Sequence, residues 1–378
     1  FRATPEGCRA GQVLAYCEML SSGVTTVCDL SVPFEGWIDT MRASGMRIYG
    51  AAGFASGRWG MASPANVTWG WDEAAGKAGF ERAKKLLAEL DGDPSGRLNG
   101  VVYPMQIDTV SEELLREAFA YAEATGRPFM SHMAQTVVEV REMIRRHGLS
   151  PVAWARKIGV LSPRTTMGHC IFLDEHPQVG WSTRADLSIM AETGMTVAHC
   201  PSPFARYGAA LESFARYRAA GVNIAIGTDV APHNLAEEMR LAIEVGRVVT
   251  RDVRGIDAGS AFESATLGAA KALQRDDIGR ISVGAKADLA LIDLRHPLMQ
   301  PARDPLRSFI YHAADRAMRM VIVDGRIVWR DGKALGLDTE RAAAEIGEQQ
   351  ARMCRDVPKH DYAKRSAEEI APLSLPVR

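Results

Sequence analysis

Apolar residues fall along this chain in short blocks, each followed by a stretch with helical spacing. GVTTVCDL (23–30), MRIYGAAGF (46–54) and LNGVVYPMQI (98–107) come first. RPFMSH (127–132), TTMGHC (165–170), GMTVAHC (194–200) and GVNIAIGTD (221–229) follow. Between them lie amphipathic segments such as GFERAKKLLAEL and SEELLREAFAYAEATG, the second opening on Ser111 in cap-like order and closing on Gly126. Strands that read as continuous apolar runs, alternating with helices, predict a parallel sheet buried on both faces. Seven such units match the repeat of a (β/α)8 TIM barrel and leave it one strand short. No Gly-x-Gly-x-x-Gly follows any of them, which argues against an open doubly wound sheet.

The texture changes after residue 250. SAFESATLGAAKAL (260–273) reads as a helix, and VGAKADLALIDL (283–294) and RMVIVDGRIVWRDG (319–332) read as strands, the latter with a tight turn at Asp324–Gly325. Residues 338–358 read as a charged helix and the last twenty as a polar tail. The division expected is a barrel over 1–280, a small β unit over 281–334, and a C-terminal helix and tail over 335–378.

Composition narrows the function. The 378 residues suffice for a sizeable core, and 47% hydrophobic with 24% charged residues is ordinary for a soluble protein. Lys+Arg 45 against Asp+Glu 46 leaves a net charge of -1 with no basic block, so neither a nucleic acid nor an anionic membrane is expected as partner. No apolar run approaches the roughly 20 residues that span a bilayer. Six scattered cysteines without a Cys-x-x-Cys pair argue against a disulfide scaffold and fit a reducing cytoplasm.

In a parallel barrel, functional side chains gather at the C-terminal ends of the strands. His132 ends FMSH, His169 ends TTMGH, His199 ends MTVAH and Asp229 ends IAIGTD, at steps of 37, 30 and 30 residues, one β/α unit each. A single histidine at a strand end is commonly a hydrogen-bonded rim residue; four consecutive ends bearing imidazole or carboxylate predict convergence. Such N/O donors suit a divalent metal with an open position, which lowers the pKa of bound water. A nearby aspartate can take that proton, and a neighbouring histidine can steady developing negative charge.

The motifs SHMAQ, GHCIFLDEH, ETGMTVAHCPS and GVNIAIGTDVAPHN, followed by IGRISVGAKADLALIDL and VIVDGRIVWRDGK, resemble the amidohydrolase superfamily. More narrowly they resemble its triazine-hydrolase or chlorohydrolase and cytosine/guanine deaminase branch, in order over nearly the whole chain. The resemblance implies a metal-dependent barrel flanked by a β-sandwich built from both chain ends, to which 281–334 would belong. It implies metal binding by His132 and Asp229, with Asp229 also shuttling protons. His169 would bind the metal or hydrogen-bond water and substrate, and His199 would lie near the pocket without ligating. One divalent ion is implied, zinc by default for these ligands, with iron or cobalt able to take the same set.

Two departures from that pattern shape the expectation. The family carries a His-x-His pair on its first strand, whereas the first histidine here is His132. Truncation upstream of Phe1 is therefore expected. Secondly, Gln135 stands where the deaminase branch has a glutamate that moves protons; glutamine hydrogen-bonds but does not titrate. That favours an amide, carbamate or urea-like bond over the alternative, heterocycle deamination or dechlorination. Glu139, one turn on, is a weaker substitute.

The segment 55–76 holds Trp59, Trp69 and Trp71, either an aromatic lid with Trp59 against the substrate or a loop packed on itself. A second rim loop spans 174–187 with His176 and Trp181, and Pro201-Ser202-Pro203-Phe204 after His199 suggests a distinct substrate contact. His233 either contacts the substrate or caps the next helix together with Asn234. The expected protein is thus a metal-dependent hydrolase of a C–N bond in a small molecule, with a homo-oligomer as one assembly open to it. A catalytically inactive barrel serving as a binding scaffold is the competing class. A phosphate- or nucleotide-binding barrel finds no support, since no Gly-rich phosphate loop precedes a helix after the late strands.

Overall fold

The computed structural model describes residues 3–63 and 66–375. The strands in chain order are β1 (Thr26–Asp29), β2 (Arg47–Gly50), a hairpin of β3 (Gly57–Ser63) and β4 (Asn66–Trp71), and then β5 (Leu98–Gly100). They continue with β6 (Phe129–Met133), β7 (Thr165–His169), β8 (Thr196–His199) and β9 (Asn223–Ile226). A separate unit holds β10 (Leu289–Ile292), β11 (Met318–Val323), β12 (Arg326–Arg330) and β13 (Lys333–Ala334).

β1, β2 and β5 pair in parallel, as do β6, β7, β8 and β9. Parallel bridges Val102↔Phe129 and Gln106↔His132 join the two groups. The seven strands thus form one parallel wall with helices between them, the wall of a TIM barrel. Side chains alternate across it: Val27, Ile48, Val102 and Phe129 pack outward with the helices, whereas Cys28, Tyr49, Val101, Tyr103 and Met130 form a second cluster on the inner face.

Among the described residues β1 and β9 are the wall's two edges, and the helix Pro5–Ser21 bridges them. Its Glu18 carboxylate accepts the His233 N–H at 2.7 Å, and the Ser22 hydroxyl just beyond it accepts the Leu235 N–H at 3.2 Å. The long helix Thr339–His360 packs along this same helix, tied by Thr4 Oγ1 donating to Gln349 at 3.0 Å.

The C-terminal sheet is antiparallel in the order β10-β11-β12-β13. Its tight turn has Asp324 and Gly325 at φ 52° and 77°, left-handed values at both central positions, as a two-residue hairpin turn requires. Arg47 on β2 reaches this unit through a buried bidentate pair with Asp288, at 2.8 and 3.1 Å.

Local expectations needed revision in several places. Residues 57–63 and 66–71 pair as two antiparallel strands rather than forming a loop. Residues 283–288 lie outside β10, which is shorter than the apolar run suggested. Ser111 stands at the N-cap of Glu112–Thr125, but its hydroxyl donates to Glu73 at 2.7 Å instead of capping. The tail contains a short helix, Ala367–Ile370, closed by a capping box between Ser366 and Glu369. All six cysteines are free, and no helix among the described residues is long and apolar enough to cross a membrane.

Candidate metal centre

Three strand ends deliver the site. His132 lies near the end of β6, His169 is the last residue of β7, and Asp229 follows β9 by three residues. One donor atom from each lies within 4.8 Å of the others. The backbone turns sharply where these strands stop: Ala134, His169, Cys170 and Asp229 have φ of 53°, 77°, 46° and 59°. Left-handed non-glycine residues are uncommon and cluster where a site constrains the chain.

β6 and β7 are in register so that His132 faces Gly168. A Cβ on Gly168 would sit 3.0 Å from the His132 ring carbon Cδ2, so glycine leaves the space that the imidazole fills. The rings of His132 and His169 stack with centroids 5.1 Å apart, and Phe204 closes on His169 at 4.4 Å.

The donors are prepared for a cation. His132 Nδ1 donates to the Met105 carbonyl at 2.7 Å, which leaves Nε2 as a free lone pair; a backbone carbonyl behind a ligand is the usual way an imidazole is oriented. His169 is buried, and its Nδ1 has no hydrogen-bond partner among the described residues. Burial, reinforced by repulsion from His132 and His199, pushes its pKa down to about 3, so it stands as a neutral imidazole. Asp229 lies at the exposed mouth, where desolvation by the surrounding protein raises its pKa and the charges of His132 and His233 pull it back. An orphaned nitrogen, an oriented imidazole and a carboxylate within one ion's reach fit a divalent metal.

Behind the ligands, Glu139 is fully buried and its carboxylate accepts N–H bonds from Ala134 at 2.7 Å and Gln135 at 2.8 Å. Burial, with the Asp108 charge nearby, pushes this carboxyl up to about 8. Glu139 thus holds the backbone after His132, and it does not stand free as a substitute proton shuttle. Ala134's carbonyl in turn accepts from Ile171 at 3.0 Å and Phe172 at 2.9 Å, which locks the β6 end to the β7 end.

The other expected residues are placed as follows. Gln135 is half-buried three residues after His132, with its backbone fixed by Glu139. His199 is buried, its pKa pushed down to about 4 by desolvation, and it stands outside the ligand set while still repelling His169. Asn234 is the N-cap of Leu235–Thr250, accepting the Glu237 N–H; the His233 ring instead bonds Thr228 at 2.9 Å, beside Asp229. Trp59 sits on the β3–β4 hairpin, and its indole N–H donates to Asp108 at 2.7 Å, as that of Trp69 does at 2.9 Å. Arg146 stacks over Trp69 and Trp71. The sequence reading missed Met105, which backs His132, and Asp108, which holds the two indoles; a backbone carbonyl contact and long-range side-chain bonds leave no local motif to find.

Comparison with known proteins adds an independent view. A family model described as the amidohydrolase family matches residues 1–328. A 5-methylthioadenosine/S-adenosylhomocysteine deaminase of Haloarcula marismortui is 32% identical over 352 residues, covering 92% of this chain and 76% of the relative. A 5'-deoxyadenosine deaminase of Methanothermobacter thermautotrophicus is 30% identical over 356 residues, covering 91% and 78%. Among solved structures, an adenosine deaminase from Xanthomonas campestris with bound zinc superposes with a TM-score of 0.80 at 26% identity, covering 93% of this chain and 76% of that one. The atrazine chlorohydrolase of Arthrobacter aurescens TC1 complexed with zinc gives 0.78 at 20% identity, covering 91% and 77%, a likeness of fold.

Proposed function

Because the chain belongs to the amidohydrolase family, we propose that it is a metal-dependent hydrolase of C–N bonds other than peptide bonds, acting on a small nucleoside-like amino-heterocycle. The observation that carries this reading is the convergence of His132, His169 and Asp229 within 4.8 Å. The deaminase names of its relatives support the substrate class.

We assign those three residues as ligands to one divalent ion, with zinc favoured by two imidazoles and a carboxylate. When bound, such an ion polarises the electrophile and makes a water molecule acidic near neutral pH. The protein's own part is distributed by environment. Asp229 is the ligand open to solvent and takes the proton of the attacking water on its carboxylate, then returns it to the leaving nitrogen. His169 stays neutral because it is buried. His132 keeps its orientation through Met105. His233 and Trp59 are assigned to the substrate rim, and His199 to the buried wall behind His169.

Gln135 favours a second reading. A group beside the ligands that cannot carry a proton suits an amide, carbamate or urea-like bond better than a ring amine that needs protonation at nitrogen. Metal content of the purified protein and of Asp229→Ala comes first, with about one ion per chain expected, lost in the variant. Ammonia release from adenosine analogues, set beside hydrolysis of amides and carbamates, then separates the two readings. Absence of metal from both proteins would sink the hydrolase and leave a barrel used for binding.

A further inference from the structure

We propose that Tyr217 is a positioning residue for His169, acting through the carbonyl of Cys170. Only its consequence for metal binding rests on the functional reading above; the positioning itself is a property of the fold. Tyr217 lies on the helix Phe214–Ala219, is 3% exposed, and donates its hydroxyl to the Cys170 carbonyl at 2.7 Å across 47 residues of sequence.

The peptide it holds is an unusual one. His169 and Cys170 are consecutive non-glycine residues at φ 77° and 46°. Each such residue is costly, and a pair persists only where surrounding bonds over-determine it. The Cys170 N–H bonds the Met133 carbonyl at 3.0 Å, and the Ile171 and Phe172 N–H groups both go to Ala134. Those bonds fix the amide side of the turn. The carbonyl side of Cys170 is fixed by the phenol, inside a core where an unpaired carbonyl is costly.

The consequence falls on the imidazole. Among the described residues His169 Nδ1 has no hydrogen-bond partner, so no bond at that nitrogen sets the ring's direction. Ring stacking against His132 and Phe204 restrains its plane, and the backbone at 169 and 170 sets where the ring begins. Losing the phenol lets this peptide relax toward right-handed backbone and swings His169 away from Asp229 and His132.

The test compares the wild-type protein with Tyr217→Phe, which keeps the ring and removes the bond. Two readouts are taken: zinc affinity by competition with a chromogenic chelator, and the histidine ring 15N resonances of the metal-free protein. The expected result is a Kd for zinc about tenfold weaker, the low end for groups that orient ligands, with His169 ring resonances shifted or split and those of the outward-lying His147 unmoved. A control, Val328→Ala in the C-terminal sheet, lowers stability but leaves the His169 resonances and affinity at wild-type values. Adding Cys170→Gly to Tyr217→Phe recovers both, since glycine adopts the left-handed backbone freely. Unchanged His169 resonances and unchanged affinity in Tyr217→Phe overturn the proposal. A wild-type protein that binds no zinc sinks the functional reading alone, and the ring resonances still decide on Tyr217. Should Tyr217→Phe not fold, recovery of folded protein by the double variant supports the proposal, and no recovery overturns it.

Discussion

Glu139 accepts the Gln135 backbone N–H at 2.8 Å, so the backbone at residue 135 is held whatever side chain it carries. Substitution at 135 therefore changes chemistry with little change of geometry. Gln135→Glu is expected to raise ammonia release from an amino-heterocycle by about 10²–10⁴-fold, the range of a general acid–base group. Amide and carbamate hydrolysis should change by only a few fold. Steady-state rates on both substrate classes check this, and equal effects on the two would remove the proton-shuttle argument.

Asp108 receives two indole N–H groups and keeps one buried oxygen without a partner. Asp108→Ala leaves both indoles unpaired and should cost about 1–3 kcal/mol for each group that stays buried. Tryptophan emission should report loosening of the hairpin. If Trp59 lines the substrate, the same variant raises KM more than it lowers kcat, and Trp59→Phe reproduces the KM effect alone.

Acid titration of the metal-free protein tests His199. Its folded pKa of about 4 lies below the unfolded value of about 6.5, so the unfolded chain binds the extra proton first. Its contribution is therefore complete above pH 6.5 and is lost as pH falls toward 4, by about 3 kcal/mol in all. Asp186 and Glu238, pushed up to about 7 by burial, act with the opposite sign over the same range. The effect is thus read as the difference between wild type and His199→Asn in denaturant midpoints. Parallel pH profiles would refute it.

Arg47 and Asp288 are 1% and 2% exposed and couple the barrel to the C-terminal sheet, where Asp288 also accepts the Asp324 N–H at 2.7 Å. Asp288→Ala leaves the buried guanidinium only its longer ion pair with Asp324 at 3.6 Å and should cost about 3 kcal/mol, the low end for breaking a buried pair. Replacing both partners by apolar residues should cost far less. Thermal unfolding of the single and double variants measures the difference.

What was legible in the sequence was whatever repeats. The apolar blocks marked all seven parallel strands; His169 and His199 end two of the last four, His132 stands one residue before the end of its strand and Asp229 just past the last, and these mark the mouth of the proposed site. The hairpin was not legible, because Gly57, Gly60 and Gly70 among tryptophans read as loop when no partner strand is visible. The backing of each ligand was equally hidden. Met105 serves through its carbonyl, which any residue would offer, and Tyr217 finds Cys170 only after the chain has folded. Glu139 was noticed for its charge, yet its work is to receive two backbone N–H groups.

The bridge from Glu18 to His233 spans 215 residues of chain. Closing a loop of that length carries an entropic penalty that short-range contacts do not share, and distant contacts of this kind form slowly. On a ribosome, the helix Pro5–Ser21 waits until some 215 further residues have been made before its partner exists. Asp229 lies inside that late-arriving stretch, so the order of synthesis makes the mouth of the proposed site among the last features of the barrel to be assembled.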